Sequence, residues 1–202
     1  LISFHNNKMK PIIITAVAAL CLLSACKSYK HQKELQTIDS LNIVIDSIER
    51  NLSQADTGRV KKIFAEYTQN LESIKENFDD QKDDSTWPAL TAYGIINKPL
   101  KNFLKNFNGF CEEISYSRKQ LDSLRTDIEN GNIPEENISS YSKTEADAVN
   151  DLKTTVDLAL RDVNDKMHLF DSLNPKIIRI IERLKKNGKP VKKGNFEATE
   201  SD

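Results

Sequence analysis

This chain of 202 residues reads as an all-α protein. Three observations predict it. Apolar residues recur every three or four positions over three long blocks. Glycine and proline are scarce, at six each. The remainder is rich in Lys, Glu, Asp, Asn and Leu, a composition suited to helices. The blocks cover residues 30–78, 88–130 and 143–186. Similar lengths joined by short loops favour antiparallel neighbours, so the expected architecture is an elongated antiparallel three-helix bundle. A four-helix bundle is the alternative, if the first block breaks near 53–58.

In the first block Ile38, Leu41, Ile45, Ile48 and Leu52 form one stripe. Val60, Phe64, Tyr67, Leu71, Ile74 and Phe78 form the next. The stripe loses one residue of phase between them, and Gly58 weakens a helix there. Two readings fit: a continuous helix with a phase change, or a tight turn capped by Asp56. Asp79 to Trp87 is acidic and polar, a loop by composition. Ser85 or Thr86 can cap the following helix, and Pro88 suits its first turn.

The second block has the longest stripe: Tyr93, Ile96, Leu100, Phe103, Phe107, Phe110, Ile114, Ser117, Leu121, Leu124 and Ile128. Its phase holds through Pro99 and Gly109, which predicts a kink at Pro99 and no stop. Gly131 is a left-handed terminator, and Pro134 prevents continuation. Ser142-Lys143-Thr144-Glu145 matches a capping box at the start of the third helix. Its stripe is Val149, Leu152, Val156, Ala159, Val163, Lys166, Phe170, Leu173, Ile177, Ile180 and Leu184, with a kink expected at Pro175. Asn187-Gly188-Lys189-Pro190 is a stop signal. Such narrow stripes suit coiled-coil-like packing, and the expected bundle is spectrin-like in architecture.

Lys8, Met9 and Lys10 precede an apolar run from Pro11 to Leu23, which ends at Leu23-Ser24-Ala25-Cys26. A basic start, a short apolar stretch and small residues before a cut make a secretory signal, with Met9 the better start. The run is about 13 residues, and a membrane span needs about 20. The four closing residues resemble the bacterial lipobox. The resemblance implies that Cys26 is lipidated and becomes the mature N-terminus. The expected organisation is a signal peptide at 1–25, a lipidated tether at 26–33, a helical bundle at 34–186 and a disordered tail at 187–202. Lys27 follows the lipidated cysteine. By resemblance to Gram-negative sorting, that points to the outer membrane, with the face left open.

The net charge is −1, and losing Lys8 and Lys10 with the signal takes it to −3. Such a balance implies no nucleic-acid partner. Cys21 leaves with the signal and Cys26 takes lipid, so Cys111 is left without a disulfide partner.

Candidate chemistry is sparse. Asp165 and His168 share a helical face, but a carboxylate-bridged metal bundle needs such a pair from each of two helices. His31 lies in the tether, so a solvated His168 is expected. Cys111 follows Phe110 and reads as a small buried hydrophobe. Phe103, Phe107 and Phe110 continue the core stripe. Trp87 is either a partner contact or a cover for the bundle end. Arg179, Arg183, Lys185, Lys186, Lys189, Lys192 and Lys193 form one basic cluster, which suits either anionic lipid headgroups or, the favoured reading, a helix C-terminus. No phosphate-binding glycine loop or nucleophile elbow is present.

One pattern recurs: Asp39-Ser40-Leu41, Asp46-Ser47-Ile48, Asp84-Ser85-Thr86, Asp122-Ser123-Leu124 and Asp171-Ser172-Leu173. It resembles the O-glycosylation acceptor motif of some anaerobic Gram-negative bacteria. That resemblance makes Ser40, Ser47, Ser85, Ser123 and Ser172 candidate acceptors. The alternative is physical: Asp and Ser fill polar helix positions just before a stripe residue.

These readings converge on a lipid-anchored, non-enzymatic envelope protein that binds or scaffolds a protein partner, with no catalytic residues, metal or cofactor. The competing class is a small-ligand receptor or enzyme whose site is assembled across helices. A pocket joining Cys111, His168 and a carboxylate would favour it; a dry apolar interior would favour the binding reading.

Overall fold

The computed structural model describes residues 31–77 and 86–187, and these are helical, with no strand among them. The helices are α1 (Gln32–Ser53), α2 (Thr57–Asn77), α3 (Trp87–Gly94), α4 (Asn97–Asn130) and α5 (Glu135–Asn187). They pack as a helical bundle. Cys26, Phe78, Ser85, Lys189, Lys192, Lys193, the expected signal peptide and the expected tail beyond Asn187 lie outside the described residues; Asn187 itself ends α5. No described helix is long and apolar enough to cross a membrane.

The first block divides as the four-helix alternative expects. After Ser53 the chain turns, and Asp56 caps α2: its Oδ1 accepts from the Arg59 backbone N–H at 2.8 Å. That satisfies one of the amides a helix start leaves free. Helix α1 begins at Gln32, so the last two residues assigned to the tether are helical.

The kink expected at Pro99 is a break. Helix α3 ends at Gly94, and α4 starts at Asn97 with Pro99 in its first turn. Proline has no N–H to give Ile95, and a first turn is where none is needed. Restarting the helix therefore costs less than kinking it. Thr86 also departs from expectation. It is buried and makes no side-chain cap; its hydroxyl accepts from Arg183 Nη2 at 2.8 Å.

Helix α4 ends as expected. Gly131 has φ +69°. Its N–H bonds to the Ile128 carbonyl, and the Asn132 N–H reaches back to the Asp127 carbonyl at 2.9 Å. This double closure is the Schellman arrangement, and the left-handed φ suits glycine. The capping box at Ser142, by contrast, does not start a helix. Helix α5 begins at Glu135, directly after Pro134, and Ser142 lies inside it. Nothing from Glu135 to Ser142 breaks a helix, and Glu135 and Glu136 favour its positive end. Ile138 and Ser142 extend the stripe backward at the same spacing; both are buried. Pro175 sits within α5 without ending it.

Contacts divide the chain into two compact units. In the first, the described parts are residues 31–46 and 115–151. Its core is aliphatic: Ile38, Leu41 and Ile45 of α1, Leu121, Leu124 and Ile128 of α4, Ile138 and Val149 of α5. Arg125 pairs with Asp39, and Arg118 with Asp46 at 2.8 Å. As numbers rise along α1 they fall along α4, so these helices are antiparallel. In the second unit the described parts are 47–77, 86–114 and 152–187. Here Tyr67, Tyr93, Phe103 and Phe170 are buried among Ile63, Leu100, Val163 and Ile177. Fully burying one large apolar side chain contributes about 1.5–3 kcal/mol. Phe64, Leu71, Phe107 and Phe110 stand on their stripes yet are only half-buried.

Candidate functional site

The second unit contains a polar cluster built by three helices, with Tyr93 and Asn174 buried and Glu66 and Asn70 half-buried. Helix α2 supplies Glu66 and Asn70, α3 supplies Tyr93 and α5 supplies Asn174. Asn70 Nδ2 donates to Asn174 Oδ1 at 2.8 Å and to Tyr93 Oη at 3.1 Å. Tyr93 Oη donates to Asn174 Oδ1 at 3.3 Å, and Asn174 Nδ2 donates to Glu66 Oε1 at 2.7 Å. The Tyr93 ring lies 4.9 Å from Tyr67 and 5.9 Å from Phe170, centroid to centroid. Burial pushes the Tyr93 phenol up to about 12, against a lowering hydrogen bond from Asn70. Burial raises Tyr67 as well. A phenol held so firmly protonated is a donor and no base at neutral pH. The cluster satisfies itself, so its first role is to align α2, α3 and α5.

Beside this cluster an open groove of about 580 Å³ runs between α2 and α5. Lys62, Glu66, Glu182 and Lys185 give it both signs of charge, and Asn70 lies in its wall. A second groove, of about 540 Å³, is mainly apolar. The break before α4 opens it. Ile95, Pro99, Phe103 and Phe110 form one side, and Thr155, Ala159 and Asp162 of α5 form the other. Ile95 is 54 % exposed, and Leu158, beside Ala159, is 44 % exposed.

The residues singled out in the sequence do not gather. Cys111 is exposed, contrary to the buried position expected of it. It lies one residue past Phe110, about 100° further round the helix and off the stripe. His168 and Asp165 are exposed. Neither Cys111 nor His168 lines either groove. Among the described residues no three His, Cys, Asp or Glu side chains cluster as metal ligands would. Trp87 opens α3 and is partly exposed. Of the basic cluster, Arg179, Lys185 and Lys186 are exposed, and Arg183 holds Thr86.

The Asp-Ser-apolar recurrence acquires a packing role. Asp39, Asp46, Asp122 and Asp171 each follow a buried residue: Ile38, Ile45, Leu121 and Phe170. The carboxylate thus flanks the helix seam, where coiled coils place their interhelical charges. Three of the four use it so: Asp39 with Arg125, Asp46 with Arg118 and Asp171 with Arg59. Ser40, Ser123 and Ser172 are exposed, whereas Ser47 is half-buried. Ser40 Oγ donates to the Gln36 carbonyl, and Ser172 Oγ to the Leu169 carbonyl.

Comparison with known proteins finds no matching family model, no matching curated protein and no matching solved structure.

Proposed function

We propose that this chain is a lipid-anchored bacterial envelope protein that binds or scaffolds a protein partner through its helical bundle. The apolar groove beside the α3–α4 break carries the binding half of the reading. Exposed Ile95 lines it together with Phe103 and Phe110, and Leu158, next to lining Ala159 in α5, is also exposed. Clustered exposed apolar side chains rimmed by polar groups suit contact with another macromolecule. The anchoring half rests on Leu23-Ser24-Ala25-Cys26, and Lys27 supports the outer membrane.

Metabolic palmitate labelling tests the anchor. Wild-type protein should take label, and Cys26→Ser should lose it and accumulate unprocessed or unanchored. Label retained by Cys26→Ser would remove the lipoprotein reading. A photo-cross-linking residue at Ile95 tests the binding half. It should give a discrete adduct in intact envelopes that the same residue at exposed Glu113 does not.

The second reading is a small-ligand receptor, and the mixed-charge groove over Glu66 and Asn70 favours it. Binding of a zwitterionic solute that is lost in Glu66→Gln would support that reading. O-glycosylation at Ser40, Ser123 or Ser172 is a separate proposal, checked by the intact mass of the purified protein.

A further inference from the structure

We infer that the apolar groove beside the α3–α4 break is the docking face for a second copy of this chain. The inference deepens the binding reading above by naming the partner. Its basis is the charge pattern at the groove. Lys98 stands on the α4 wall, and Asp162 stands on the α5 wall. Both are exposed, and neither forms an ion pair or hydrogen bond within the described residues. One wall therefore offers a lone cation and the other a lone carboxylate. A two-fold axis across such a groove sets each Lys98 against the other copy's Asp162, twice over.

The apolar surface obeys the same symmetry. Ile95 stands out beside Lys98 because Pro99 forces α4 to restart, which leaves Ile95 in the break instead of in a helix face. Leu158 stands out on α5, one turn before Asp162. In the two-fold arrangement Ile95 of each copy covers the α5 wall of the other. Ala159, small at a stripe position, leaves the depression that receives it. The flanking ion pairs then shield an apolar centre, the usual anatomy of a protein interface. The charge of −3 left once Lys8 and Lys10 go with the signal is small enough to offer little repulsion to association.

Sedimentation equilibrium of the full-length chain in density-matched detergent tests the inference. Wild type should show a concentration-dependent monomer–dimer equilibrium. Lys98→Glu and Asp162→Lys should each weaken the dimer by about tenfold or more through like-charge contact, and the double variant should recover most of that loss. Ile95→Ser should weaken it without restoring under any charge swap. Circular dichroism should show every variant as helical as wild type, since all three positions are exposed. A strictly monomeric wild type overturns the inference, and so does a dimer indifferent to all three substitutions. A double variant as weak as the singles also overturns the two-fold pairing. A monomer that retains palmitate at Cys26 would sink the dimer alone and leave the anchor standing.

Discussion

The two compact units solve the same packing problem with different chemistry. The first builds an aliphatic core and sets its helix register with exposed ion pairs, Asp39–Arg125 and Asp46–Arg118. It leaves two buried polar atoms, Asn42 Oδ1 and Ser142 Oγ, without a hydrogen-bond partner. The second builds an aromatic core and holds it with the partly buried cluster of Glu66, Asn70, Tyr93 and Asn174. Surface pairs are weak, about 0.2–1 kcal/mol each, whereas a buried donor or acceptor left unpaired costs about 1–3 kcal/mol. The second unit is therefore the more sharply specified, and disruption there should be felt more.

The largest test of that contrast is Phe103→Ala. The ring is 2 % exposed, and its loss should cost about 3–5 kcal/mol in chemical denaturation. Phe107→Ala, half-buried on the same stripe, should cost distinctly less. Equal costs would mean that burial does not rank these positions. Next comes Asn174→Ala, which removes the partner of Glu66 and the acceptor shared by Asn70 and Tyr93, leaving only the Asn70–Tyr93 bond. A loss of about 2–4 kcal/mol is expected, and Asn174→Ala combined with Tyr93→Phe should lose less than the sum. Strict additivity would show that the four groups do not act as a unit. Arg125→Ala and Arg118→Ala should each cost no more than about 1 kcal/mol, with the effect fading at high salt. A larger cost would overturn the ranking of the two units.

The smallest effect is a pH dependence. Burial raises the Glu145 carboxyl above its ordinary 4.5. A raised folded-state value contributes stability below 4.5 that is lost as pH rises through the folded value. Ionised Glu145 therefore works against the fold at neutral pH. Glu145→Gln should raise the melting temperature slightly at pH 7 and not at pH 4. Tyr93 and Tyr67 work at the other end: their contribution is complete below pH 10 and is lost for Tyr93 between 10 and about 12. A uniform gain from Glu145→Gln at both pH values would remove desolvation as its cause.

Helical periodicity made most of the core legible. Ile38, Ile45, Leu100, Leu121, Val156 and Ile177 were all readable as stripe positions, and all are buried. So was the Gly131 terminator, because its chemistry is local. What escaped depends on context that spacing does not carry. Ser142 looks like a cap beside Glu145, but an unbroken helix already runs through it. Pro99 keeps phase with its stripe, yet its ring decides the backbone. Asn174 lies between Leu173 and Pro175 and reads as a polar gap; its partners come from α2 and α3, more than 80 residues away in sequence. The Asp residues of the recurring pattern are likewise explained only by the arginines opposite them.

The Gly131 closure has a kinetic consequence. It ends α4 and leaves only the four residues 131–134 to connect α4 to α5, whereas the Asp39–Arg125 pair must close 86. Short loops close at less entropic cost, and topology of this kind orders events in time. The expected sequence is an α4–α5 hairpin first, with α1 docking onto it afterwards. Gly131→Ala, strained at positive φ, should then slow folding, whereas Asp39→Ala should mainly hasten unfolding. Stopped-flow refolding and unfolding of the two variants would reverse that order if α1 belonged to the nucleus.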